Sequence, residues 1–234
     1  MPMGAGINVA DMGSGTQHVR PLRRVAITAD VYQSLRDAIF SGELRAGERL
    51  DVQGLASGFE VSNQPVKEAL NRLALEGLIV IKPRSGTFVR SLSIEEMNHI
   101  LEARLMIESY AVRNMKPPTA ETLDQLHALA KRLGHIASEA PFAYLRYNEV
   151  DIEFHETLVG LAQNPELLRL YRSLHSHYVT ARAYFSSAQE KALANESDHE
   201  EIALAIIDGE KRRAVTLVES HIVSAQRGIR SVFH

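Results

Sequence analysis

The segment EVDIEFHETLVGLA, residues 149–162, sets Asp151 and His155 four positions apart, so on a helix both project from one face. Leu158 and Ala162 continue that face and turn it inward, where a carboxylate and an imidazole need partners. Taken alone, such a pair is more often a simple hydrogen bond than half of a metal site. His199 and His221 extend it. On one continuous helix they would stand about 33 Å apart. The break at Asp208-Gly209 instead folds that segment into a hairpin, so the two reach similar heights on neighbouring helices. Three imidazoles and one carboxylate converging in a bundle suit zinc, nickel or manganese, with positions left for water or a ligand oxygen. The chain has no cysteine, which excludes disulfides and thiolate ligands and leaves His, Asp and Glu as metal ligands. His175 and His177 are two apart, cannot share a helical face, and read as surface or packing residues.

A second group of residues suits nucleic acid. In VSNQPVKEALNRLALEGL, residues 61–78, Ser62 as N-cap puts Pro65 inside the first turn, where no intrahelical hydrogen bond is lost. Val66, Leu70, Leu73 and the run from Leu75 to Leu78 supply an apolar side. Asn63, Gln64 and Lys67 occupy the exposed corner, with Asn71 and Arg72 polar behind them, and such side chains reach base edges and phosphates. A capped surface helix is the alternative reading. Downstream, LIVIK and TFVRS flank PRSG, a strand-turn-strand unit with Arg84 and Gly86 at its tip. It can lie along a DNA backbone or reach into the minor groove, or it merely closes the core.

The elements that must position these groups follow from periodicity and breaks. Residues 1–24 are rich in Gly and Met without period and read as a flexible tail. Residues 25–92 hold a helix through ADVYQSLRDAIFSG, an extended Leu50, a brief helix DVQGLASGFE capped by Asp51, and then the helix and hairpin just described. Short helix, tight turn and second helix is the arrangement in which the second helix enters the major groove. From residue 93 to 234 no strand pattern is found. Six helices are predicted, at about 93–115, 119–137, 141–163, 165–188, 196–208 and 210–230, separated by Pro117-Pro118, Glu139 to Pro141, Asn164-Pro165, the polar stretch through Asn195 and Asp208-Gly209. The fold class is therefore mainly α: a winged helix-turn-helix with a small β-hairpin wing, followed by an all-α bundle of six or seven helices.

The totals agree with two jobs in two segments. Residues 1–92 carry 11 Lys and Arg against 9 Asp and Glu, a net +2, while residues 93–234 carry 15 against 20, a net −5. Nine of the ten histidines lie after residue 92. Only the first segment has the balance to face phosphates. No apolar run approaches a membrane span, and the N-terminus lacks the blocks of a secretory signal, so a cytoplasmic protein is expected.

Residues 31–90 resemble the winged helix-turn-helix of the GntR family of bacterial transcription regulators: AIFSGEL, AGERL, LASGFEVS, PVKEALNRLALEGL and PRSGTFV occur in order. That family usually has Arg-Thr before the proline and Arg after the valine. Here Asn63-Gln64 and Lys67 stand there, which points to a shifted base preference, since Asn and Gln pair with adenine where Arg prefers guanine. Residues 95–225 resemble the FCD ligand-binding domain of the FadR-like subfamily. DIEFH, NP at 164–165, DHEEIALAIIDGE and ESHIV match its pattern of Asp-x3-His, a second His and a final His. The resemblance implies Asp151, His155, His199 and His221 as ligands of a divalent ion, and six helices imply the VanR-like branch.

Regulators of this kind often sense small organic or sugar acids. Arg104, on the apolar stripe of Met97, Leu101, Glu108 and Ala111, either pairs with Glu108 or clamps an effector carboxylate whose other oxygens meet the metal. Asn148, Tyr178 and Arg182 are further candidates for that pocket. The expected function is a DNA-binding repressor controlled by a small carboxylate, acting as a homodimer on an inverted-repeat operator and not as an enzyme. Two alternatives stand beside it: a regulator whose effector is the metal itself, and a metal-dependent hydrolase.

Overall fold

The structure is a computed structural model that describes residues 23–175, 190, 192, 193 and 196–232. Helix α1 (Arg23–Ser41) buries Val31, Leu35 and Ile39, successive positions of one stripe, and stops at Gly42, whose φ of +79° no other residue adopts cheaply. Strand β1 (Arg49–Leu50) leads to α2 (Val52–Gly58), where Asp51 caps by accepting from the Gln53 and Gly54 amides. Helix α3 (Asn63–Leu75) follows after a tight turn. Pro65 is its third residue and is buried, and Ser62 holds the N-cap position without a side-chain capping bond. Val66, Ala69, Leu70 and Leu73 face the core. Leu75 does not: it is 80% exposed, because its position on the helix falls outside that stripe.

Strands β2 (Ile79–Lys82) and β3 (Gly86–Val89) form the expected hairpin, with Val80 opposite Phe88. The extended residues around Leu50 do more than link helices. They add β1 to β3, giving an antiparallel sheet in the order β1-β3-β2, with Leu50 opposite Thr87. The first core joins α1, α3 and this sheet through Leu35, Ile39, Leu50, Leu73, Leu78 and Val89.

The second core is helical. Helix α4 (Ile94–Arg113) starts with a capping box between Ser93 and Glu96. Helices α5 (Ala120–Ser138) and α6 (Tyr144–Gly160) follow the proline breaks, and α7 (Pro165–Ser173) starts at Asn164, whose side chain accepts from the Glu166 and Leu167 amides. Helices α8 (Glu196–Ile207) and α9 (Lys211–Val232) are joined through Gly209 at φ +74°. Contacts run α4 to α6 to α5 to α8 to α9 and back to α4, closing a ring of five helices around Leu133, Phe154, Leu158, Ile202 and Val218, with α7 against α6 and α4. One expectation needs correcting: the helix predicted through residue 188 ends at Ser173, and His175 then takes φ 50°, which no helix continues through.

The two cores touch. Tyr144 and Leu145 at the start of α6 pack on the first core, and Arg36 on α1 donates to Glu149 on α6 at 2.6 Å. Among the described residues no helix is long and apolar enough to cross a membrane.

Candidate metal centre and nucleic-acid interface

Helix α6 carries Asp151 and His155, α8 carries His199 and α9 carries His221. The α8–α9 hairpin sets the last two side by side, with ring centroids 4.7 Å apart, while His155 stacks on His221 at 5.2 Å. One nitrogen from each of the three imidazoles lies within 4.8 Å of the others, and all three rings are buried. Asp151 Oδ1 stands 3.2 Å from His199 Nε2 and 3.6 Å from His155 Nε2. All four predicted ligands are therefore brought together, and Phe154 backs two of the rings edge-on.

The surroundings aim the rings. His155 Nδ1 donates to Glu108 Oε2 at 2.9 Å, and His221 Nδ1 donates to Asp198 Oδ2 at 3.3 Å, leaving each Nε2 for the interior of the cluster. Carboxylates on the outer nitrogen fix the tautomer and orientation of ligand histidines. Neither Nδ1 nor Nε2 of His199 has a hydrogen-bond partner. Its approach to Asp151 is close but poorly directed, as expected when two donors point at a common centre and not at each other. A buried polar atom in that condition costs about 1–3 kcal/mol, and a cation among the three rings and the carboxylate would remove the cost. The donor set of three imidazoles and one carboxylate fits a borderline divalent ion.

Electrostatics follow from burial and neighbours. Burial raises the Glu108 carboxyl, but the Arg104 guanidinium and then His155 outweigh it and hold it well below the usual carboxylate range. Burial, aided by His199, His155 and Arg104, pushes the His221 imidazole down to about 4 against the hydrogen bond that it donates to Asp198, which favours the neutral, ion-binding form. Asp198 is lowered by that same hydrogen bond.

Arg104 makes the predicted pair with Glu108. Its Nε donates to Glu108 Oε1 at 2.6 Å, while Nη2 is buried with no hydrogen-bond partner. Tyr171 also donates to Glu108 Oε1, at 2.8 Å. Asn148 is buried on α6 and lines a cavity of about 380 Å³ whose opposite wall is Tyr32, Arg36, Arg72 and Glu76. Tyr178 and Arg182 lie outside the described residues. Sequence reasoning missed the roles of Glu108, Asp198 and Tyr171 around the histidines. Glu108 was visible as a partner for Arg104, whereas nothing local links Asp198 to a residue 23 positions away.

On α3, Asn63, Lys67 and Asn71 form an exposed stripe at four-residue spacing. Gln64 is exposed too, with its amide donating to Glu68 at 2.8 Å. Arg72 differs from expectation: its guanidinium lies 3.7 Å from the centre of the Tyr32 ring, pairs with Glu76 and lines the cavity, so it is turned away from the stripe. Arg84 caps the hairpin at φ 62°, and Gly86 at φ +125° lets the Arg49 side chain lie close, since a Cβ there would meet Arg49 Nε at 3.0 Å.

A short exposed helix held over a winged sheet, joined to a helical bundle with a buried polar centre, defines a DNA-binding transcription regulator with an effector domain. Residues 27–89 match the family described as "Bacterial regulatory proteins, gntR family", and residues 99–224 match the FCD domain. The chain belongs to the GntR family of bacterial regulators, in the group that carries an FCD domain. The Nta operon transcriptional regulator of Aminobacter aminovorans is 31% identical over 182 residues, 78% of this chain and 84% of that protein. The HTH-type transcriptional repressor GlaR of Escherichia coli K12 is 26% identical over 83% of this chain and 92% of its own. A transcriptional regulator from Rhodococcus sp. RHA1 superposes with a TM-score of 0.67 at 23% identity, covering 88% of this chain and 98% of that one.

Proposed function

We propose that the chain is a repressor whose operator affinity is set by a small carboxylate bound beside a divalent ion in the helical bundle. Asp151, His155, His199 and His221 hold the ion, zinc, nickel or manganese, and the free Nη2 of Arg104 receives one effector carboxylate. The observation that carries this reading is the buried His199, with neither nitrogen hydrogen-bonded, beside Asp151 and between two histidines already oriented by carboxylates. A bound ion supplies open positions for acid oxygens. Arg104 adds charge and direction in a site closed to water. Repression is supported by the name of the similar GlaR.

Asn63, Gln64, Lys67 and Asn71 read a half-site in the major groove, Ser62 and Pro65 set the helix entry, and Arg84 with Gly86 at the wing contacts backbone. One such helix spans only a half-site, so a second copy supplies the other and the operator is an inverted repeat. Met106 and Tyr110, four apart on α4 and 73% and 52% exposed, are the apolar face for that copy. Work in the cytoplasm, where the DNA is, follows from this role, with function divided near residue 92.

The test is metal analysis of the purified chain, selection of bound genomic fragments, and titration of the resulting complex with a panel of hydroxy acids and dicarboxylates. Release of DNA by one acid, lost in Arg104→Ala and His199→Ala, supports the reading. Release by nickel or zinc with no acid replaces it by the metal-effector reading, which the existing Arg104–Glu108 pair favours.

A further inference from the structure

Where the chain leaves α7, the His175 ring lies against the exit turn of α3. A Cβ on Gly77 would stand 2.6 Å from His175 Cγ and 2.7 Å from His175 Cδ2, and Gly77 is at φ +72°. The two surfaces are seated with no room for even a methyl group. His175 itself holds φ 50°, a conformation that non-glycine residues keep only where their surroundings enforce it.

One helical turn earlier, the buried Tyr171 donates to Glu108, the carboxylate that also takes Arg104 Nε and His155 Nδ1. A single carboxylate thus ties a proposed ion ligand, the proposed effector clamp and the helix whose end presses on the DNA-reading helix. Helix α7 is nine residues long, and the Tyr171 ring is buried in its last turn. Beside it, the 380 Å³ cavity lined by Tyr32, Arg36, Asn148, Tyr171 and His175 leaves space into which that turn can shift without compressing a packed core.

We propose that α7 is the lever between the two halves of the chain: the Tyr171–Glu108 hydrogen bond sets its position, and His175 passes that position to the Gly77 turn and α3. The proposal rests on the reading of the buried site as the effector centre. An acid that engages Arg104 Nη2 pulls on the guanidinium whose Nε holds Glu108. Glu108 drawn aside then weakens the hold on Tyr171, and the seat of His175 on Gly77 loosens. Such coupling needs an element with two arrangements that both sites bias, and α7 is that element.

The experiment is amide hydrogen exchange on the full chain after dialysis against a chelator. Tyr171→Phe keeps the ring and removes the hydroxyl. His175→Gly removes the ring and relaxes the backbone. Each is expected to speed exchange at residues 73–80 about fivefold, the effect of losing one typical hydrogen bond, with α5 unchanged as the internal reference. The double variant should be no faster than His175→Gly alone, because both cuts fall on one path. Wild-type rates at 73–80 in a folded Tyr171→Phe chain overturn the lever; if that variant proves globally loosened, His175→Gly decides by the same criterion. Nickel is then added to the wild type. A chain that binds no nickel overturns the metal reading alone, and the two variants still decide the lever.

Discussion

At the scale of residues, His155 and His221 are oriented by groups that stand outside the proposed ion position. Glu108 and Asp198 each occupy one outer nitrogen, so the inner nitrogens of His155 and His221 are committed before anything binds. Removing such a carboxylate typically weakens metal affinity 10–100-fold. Glu108→Gln is therefore expected to lower nickel affinity by about that factor in isothermal titration, whereas His199→Ala leaves no measurable stoichiometric binding. In the proposed DNA-reading helix, Gln64 would exchange its bond to Glu68 for one to a base. Gln64→Ala should relax preference at one position of the half-site at a cost near the lower end of about 1–3 kcal/mol. A selected consensus identical to that of the wild type would remove Gln64 from the reading set.

At the scale of elements, the glycines give a sign test. Gly209 turns α8 into α9 at φ +74° with nothing within 4 Å of a Cβ, so Gly209→Ala costs backbone strain alone, about 1–2 kcal/mol. Gly160, the last residue of α6, has the same open space and no positive φ, and Gly160→Ala should stabilise by about 0.5–1 kcal/mol. Urea unfolding of the two variants gives shifts of opposite direction. In the wing, Arg84→Ala should weaken binding to all sequences and reduce the salt slope by about one. These elements were legible in the sequence because their causes are local: proline and glycine breaks, the four-residue step from Asp151 to His155, and a hairpin that brings two histidines level. What local pattern does not carry is partnership across distance. Glu108 and His155 are 47 residues apart, Tyr171 and Glu108 are 63 apart, and neither pairing has a signature in spacing. The exposed Leu75 and the inward-turned Arg72 were misread for a related reason. Helix phase near the end of α3 is decided by what α1 offers it, here the Tyr32 ring and, through it, Glu76.

At the scale of the whole molecule, contacts among the described residues that join the halves include Arg36 to Glu149, Tyr144 against Phe40, and His175 on the Gly77 turn. Recognition of an inverted repeat needs two such molecules. Met106→Asp with Tyr110→Asp places charge on the exposed face of α4, and it should convert the proposed dimer to monomer in light scattering and abolish tight operator binding while the helical content stays unchanged. A dimer that survives both substitutions uses another face.

The three helices that bring the histidines and Asp151 together, α6, α8 and α9, are also three of the five that close the ring around the second core. An ion held there is thus a rivet through the barrel wall, and its supply becomes part of the protein's own folding equilibrium. At a free concentration one hundred times its dissociation constant it adds about 2.7 kcal/mol, a large share of what keeps a domain of this size folded. Melting temperature should climb with added nickel and fall with chelator, so the number of working regulators in a cell would follow its metal supply even before any acid arrives.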